Sequence, residues 1–82
     1  MVNYVTTPET LLEQTIKILS VINSKAPLAV AACINAANAV FDETKDGYAV
    51  EIAAFGDAFA TEDMKEGTTA FLEKRKAVFK GK

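Results

Sequence analysis

The residues of this chain that could carry chemistry are few, and the most densely placed are acidic. Glu62, Asp63 and Glu66 fall close together, and such a group can supply a general acid and base or grip a divalent cation. A simpler reading competes: all three lie in the first two turns of a predicted helix, where negative charge is stabilised by the helix dipole. Histidine is absent, which removes Ser-His-Asp and Cys-His nucleophile schemes and most zinc sites. The single cysteine, Cys33, sits among Ala31, Ala32 and Ile34 with no base or cation beside it in sequence, so a buried, inert thiol is expected and an internal disulfide is excluded. Gly47, Gly56 and Gly67 match no phosphate-loop or dinucleotide spacing. No metal and no cofactor is expected.

Two further groups bear on binding. Phe55 and Phe59 are four residues apart and Phe71 lies on the next predicted helix; core packing is the default reading, and an aromatic left at an edge would stack on a base such as adenine. Lys74, Arg75, Lys76, Lys80 and Lys82 are five of the nine basic residues and crowd the last nine positions. From charge alone they read as a solvated, frayed terminus. The alternatives are complementing the end of a helix dipole or meeting the phosphates of a small ligand as point charges.

Helices must position these groups. Thr7-Pro8-Glu9 places a hydroxyl cap, a first-turn proline and a carboxylate in order, and Leu11, Leu12, Ile16, Leu19 and Ile22 recur at helical spacing, predicting a first helix over about Pro8 to Asn23. Pro27 forces a break and a restart. The second helix, about Pro27 to Glu43, is apolar nearly all round, the pattern of a helix covered on several sides by other elements or another chain. Thr44 to Gly47 is the next break, and Tyr48, Ile52, Phe55 and Phe59 then share one face of a third helix. Thr61-Glu62-Asp63 repeats the cap signature and opens a fourth, with Met64, Thr68, Phe71 and Leu72 at helical spacing. Val2 to Val5 is the only candidate strand, and a lone strand needs a sheet that this chain does not supply. The fold class is therefore all-α: one domain over residues 1–82, a small bundle of about four helices with a short extended N-terminal segment.

The 82 residues lie near the size at which a single apolar core is only marginally sufficient. Half are hydrophobic and none is Trp, so the apolar content is mainly Ala, Val, Leu and Ile, which suits close helix packing. Ahead of Lys74 the chain carries four basic against eleven acidic residues, a net charge of −7. An acidic body of this kind argues against nucleic acid. No secretory signal and no membrane-length apolar run is visible, so the expectation is a soluble, cytoplasmic protein without a membrane partner.

From Phe59 the sequence reads Phe59-Ala60-Thr61-Glu62-Asp63-Met64-Lys65-Glu66-Gly67, continues through Ala70-Phe71-Leu72-Glu73-Lys74-Arg75-Lys76, and ends Phe79-Lys80-Gly81-Lys82. This resembles the "FATED-x-x-EG-x-x-AFLEKRKP-x-F-x-G" ending of the crotonase (enoyl-CoA hydratase/isomerase) family. Upstream, Met1-Val2-Asn3-Tyr4-Val5 resembles the strand that leaves that family's spiral core, and Ala26-Pro27-Leu28-Ala29-Val30 resembles its "SPLAV" helix start. The resemblance covers essentially the whole chain. It implies the C-terminal oligomerisation and CoA-contacting segment of an enzyme, a lyase of fatty acid metabolism, that adds water to a 2-enoyl-CoA. In the family, two backbone N–H groups hold the thioester oxyanion and two glutamates handle water and proton. All of these match positions upstream of Met1, so no catalytic residue is expected here, and this chain alone should be inert.

The resemblance also assigns substrate-binding roles. Phe55 stands where the family has an aromatic beside bound CoA, and Lys74 where a lysine reaches the adenosine-phosphate end, often from a neighbouring subunit. Family helices in this region build trimers that stack into hexamers; detached from a core, the segment is expected to form a dimer or higher assembly. Ala77 departs from the proline that many relatives have, and Thr68-Thr69 from the usual Met-Ala. The alternative is a stand-alone helical module that binds acyl-CoA or only assembles. An acyl carrier is disfavoured, since Leu19-Ser20-Val21 and Asn23-Ser24-Lys25 lack the Asp-Ser-Leu attachment site.

Overall fold

A computed structural model describes residues 2–82 of the chain. Four helices follow one another: α1 (Leu11–Asn23), α2 (Pro27–Ala39), α3 (Gly47–Ala58) and α4 (Glu62–Glu73). The all-α expectation holds, and no strand occurs among the described residues, Val2 to Val5 included.

Boundaries follow from where backbone groups find partners. The first helix begins at Leu11, not at Pro8, because the Thr7 hydroxyl pairs with the Thr10 hydroxyl at 3.0 Å instead of a helical N–H. The Thr10 N–H in turn donates to the Thr7 carbonyl at 3.2 Å, closing a turn ahead of the helix. Ala26 is extended (φ −63°, ψ 118°), as a residue before proline must be, and Pro27 opens α2. The axes of α1 and α2 differ by 110° across this break. Among the described residues no single helix is long and apolar enough to cross a membrane.

The second helix stops at Ala39, short of the expected Glu43. The Asp42 carboxylate accepts from the Thr44 N–H at 3.0 Å and from the Thr44 hydroxyl at 2.6 Å. This side-chain turn competes with a further helical turn and wins. Asp46 then caps α3, its carboxylate accepting from the Tyr48 and Ala49 N–H groups at 3.1 and 3.3 Å. Thr61 caps α4 as its spacing predicts, accepting from the Met64 N–H at 3.1 Å.

Packing is the main departure from expectation. The helices spread into a layer 43 × 41 × 18 Å across, and the radius of gyration is 15.9 Å where a compact chain of this length has ~12 Å. Helices α2 and α3 form the one extensive helix–helix contact. A layer less than two helix diameters thick leaves no room for a second layer of helices to cover the first. Among the described residues, Ala39 and Ala70 are the only buried apolar ones. Phe55, Phe59 and Phe71, expected in a core, are therefore exposed, as is Cys33. The apolar stripes are real, but the surface that would cover them is not supplied by this chain.

Candidate functional site

The acidic group at the start of α4 and the basic tail belong to one structure. The Asp63 side chain is buried and accepts the Lys80 and Gly81 N–H groups, each at 2.8 Å. Its own N–H donates to the Lys82 carbonyl at 3.0 Å. One turn on, Glu66 accepts the Val78 N–H at 3.0 Å and both terminal nitrogens of Arg75, at 2.6 and 3.1 Å. The chain thus runs up α4, reverses at Lys74 and returns along the same helix. Phe79 lies over Gly67, 3.4 Å from where a β-carbon would stand, and Gly81, at φ +76°, passes Pro27 at the start of α2. The frayed-tail reading from charge is overturned: carboxylates on α4 hold the tail by its backbone.

Both carboxylates do more than balance a helix dipole. The Arg75 fork and the Val78 N–H hold the Glu66 carboxyl down to about 2 from an ordinary 4.5. A carboxyl depressed in the folded state contributes fully above its ordinary value, and that contribution is lost as pH falls through the folded one. The tail grip at Glu66 should therefore weaken between pH 4.5 and about 2. Amide and guanidinium NMR shifts of Val78 and Arg75 would show this, and shifts that stay constant across the window would contradict it.

The basic triplet divides by role. Arg75 also donates its Nε to Glu73 at 2.5 Å, so its guanidinium is shared between two carboxylates. Lys74 and Lys76 form no ion pair among the described residues. Lys74 sits at the apex of the reversal with left-handed backbone, φ 54° and ψ 41°, and the Ala70 carbonyl accepts the Arg75 N–H at 3.0 Å to finish the helix. Glycine fits such a position freely, whereas a residue with a side chain pays about 1–2 kcal/mol.

Phe55 is on α3, exposed, with its ring edge-on to Phe59 at 5.1 Å and 74°. The structure does not gather Phe55 and Lys74 into one cavity. A concavity of about 1010 Å³ lies between α2, α3, α4 and the tail, and neither residue lines it. Its wall is apolar, formed by Leu28 and Ala32 of α2, Val50 and Ala54 of α3, Met64 and Phe71 of α4, and Phe79 of the tail. Such a trough suits an apolar chain or a protein surface rather than bond-making chemistry. Among the described residues no three His, Cys, Asp or Glu side chains are placed to hold a metal ion.

Sequence reading missed the trough and the tail grip. Single-helix periodicity cannot show that two helices stand apart. The grip had a faint signal, since an acidic body with a basic terminus invites the two to pair, but its decisive bonds go to backbone N–H groups that leave no mark on composition.

Comparison with known proteins agrees with these features. The sequence model of the enoyl-CoA hydratase/isomerase family matches residues 1–82. A crotonyl-CoA hydratase from Syntrophomonas wolfei is 50% identical over 80 residues, covering 96% of this chain and 31% of that protein. A mitochondrial enoyl-CoA hydratase from Pongo abelii is 44% identical over 73 residues, covering 88% of this chain and 25% of that protein. The crystal structure of an enoyl-CoA hydratase from Bacillus anthracis superposes with a TM-score of 0.83 at 32% identity, covering 94% of this chain and 30% of that one. The chain thus spans under a third of the length of these relatives. Its helices, its ending and its unfilled apolar faces agree with the family match, and the chain belongs to the enoyl-CoA hydratase/isomerase family.

Proposed function

We propose that this chain is the C-terminal oligomerisation and CoA-contacting segment of an enoyl-CoA hydratase-type enzyme that hydrates 2-enoyl-CoA in fatty acid metabolism. The observation that carries this reading is the pairing of a family match along the whole chain with a fold whose apolar faces are almost entirely uncovered. Helices α2 and α3 offer such faces to the enzyme's core and to neighbouring subunits, supporting the trimer or hexamer that the resemblance implies. Lys74, raised on the reversal and without an acidic partner, presents an ammonium to the phosphates of CoA. Phe55, held edge-on by Phe59, offers a ring face beside the cofactor-like end of the thioester.

Chemistry in this reading is left to the rest of the enzyme. The 82-residue chain should neither hydrate a 2-enoyl-CoA nor bind free CoA with micromolar affinity, because a phosphate contact on an exposed lysine is weak without the remainder of a site. Isothermal calorimetry with free CoA checks this. The apolar trough favours a second reading, a stand-alone acyl-CoA-binding module, and micromolar binding would select it over the first.

A further inference from the structure

Lys74 is exposed and mobile by chemistry, an ammonium on a four-carbon stem, yet its backbone is set by unusually specific surroundings. The residue before it and the residue after it are joined across it, since Arg75 Nε donates to Glu73 Oε2 at 2.5 Å. The same guanidinium grips both oxygens of Glu66, two turns back along α4, at 2.6 and 3.1 Å. Glu66 Oε1 also accepts the Val78 N–H at 3.0 Å, which keeps the returning tail against the helix. Together these bonds close the reversal on both sides of a residue whose left-handed backbone glycine would adopt more easily.

We propose that Glu66 and Arg75 are positioning residues that hold Lys74 at the apex of the reversal, so that its ammonium is preset toward the phosphate end of a CoA thioester. The inference rests on the CoA contact proposed above for Lys74. Two effects combine. Fixing the backbone removes part of the ordering cost that a flexible lysine otherwise meets on binding. Engaging Glu66 and Glu73 with Arg75 also keeps both carboxylates from pairing with the Lys74 ammonium in place of a phosphate. Arg75 suits this task because its planar fork takes both oxygens of Glu66 while its Nε reaches Glu73, a fixed geometry that a lysine ammonium, a point charge with rotatable donors, does not impose.

Glu66→Gln and Arg75→Lys, each made in the full-length protein that carries this chain, test the proposal by steady-state kinetics. Each should raise KM for a 2-enoyl-CoA roughly two- to fourfold, the factor by which the competent Lys74 geometry is depopulated. Turnover should stay within about twofold. In a Lys74→Ala background neither substitution should raise KM further, and with a 2-enoyl-pantetheine thioester, which lacks the nucleotide phosphates, neither should change KM at all. Thermal melts confirm that the variants fold, and Arg75→Lys, which keeps the charge, serves if Glu66→Gln does not. Equal rises in both backgrounds, or a rise with the pantetheine substrate, would overturn the positioning role. If Lys74→Ala raises KM while Glu66→Gln and Arg75→Lys do not, positioning fails and the CoA contact stands. If Lys74→Ala itself leaves KM unmoved, the contact fails and positioning falls with it.

Discussion

Asp63→Ala should release the tail of this chain from α4. The native carboxylate is buried and accepts two backbone N–H groups, from Lys80 and Gly81, at 2.8 Å each. Hydrogen bonds to a charged acceptor contribute about 1.5–3 kcal/mol each, so losing both should cost about 3–6 kcal/mol. That corresponds to a rise of roughly 100- to 10,000-fold in the undocked fraction. Losing a favourable charge near the N-terminus of α4 would cost only about 0.3–1 kcal/mol, too little to explain such a change. Asp63→Asn separates the two effects further, since an amide keeps the shape but turns an NH₂ toward one of the two N–H donors. Trypsin cleavage after Lys80, the residue whose backbone Asp63 holds, reads the result directly. Both variants should lose the last residues much faster than the parent, and parental cleavage rates would show that the tail is held by something else.

The second large expectation concerns assembly. Phe41, Phe71, Leu72, Tyr48 and Ile52 are each at least 72% exposed, an arrangement that an isolated chain in water does not keep. Removing such surface from water is favourable, and it offsets the loss of translational and rotational freedom and the side-chain ordering that association costs. Light scattering after size exclusion should therefore find the 82-residue chain as a dimer or larger species, and a folded monomer at high concentration would contradict this. Substituting Ile52 and Phe71 by Ser on two different faces should move the population toward monomer, at the same protein concentration, if these faces carry the association.

How far the sequence carried depends on which forces acted locally. Pro27 and Thr61 placed the starts of α2 and α4 correctly, because a fixed φ and a hydroxyl cap act within three residues. Thr7 misled, since its hydroxyl found Thr10 instead of the helix. The early end of α2 turned on a contest between Asp42 and the next helical turn that propensity alone does not decide. Burial was least legible. Phe55, Phe59 and Cys33 have the pattern of core residues, and the pattern says which face is apolar but not whether this chain provides the cover. At the candidate site, the basic triplet was visible as charge, whereas its division into a paired Arg75 and an unpaired Lys74 emerged only from the reversal after α4.

Charge reversal at Lys74 bears most directly on the proposed CoA-contacting role. In the full-length protein, Lys74→Glu sets a carboxylate against the phosphates of CoA, and loss of an attraction plus gain of a repulsion should cost about 1.4 kcal/mol or more, a factor of ten. Steady-state kinetics with a 2-enoyl-CoA substrate is the measurement. The expected result is a KM raised about tenfold with turnover within about twofold, the signature of binding shared by ground and transition states. Unchanged KM and unchanged turnover would contradict it and leave Lys74 as no more than the residue that ends α4.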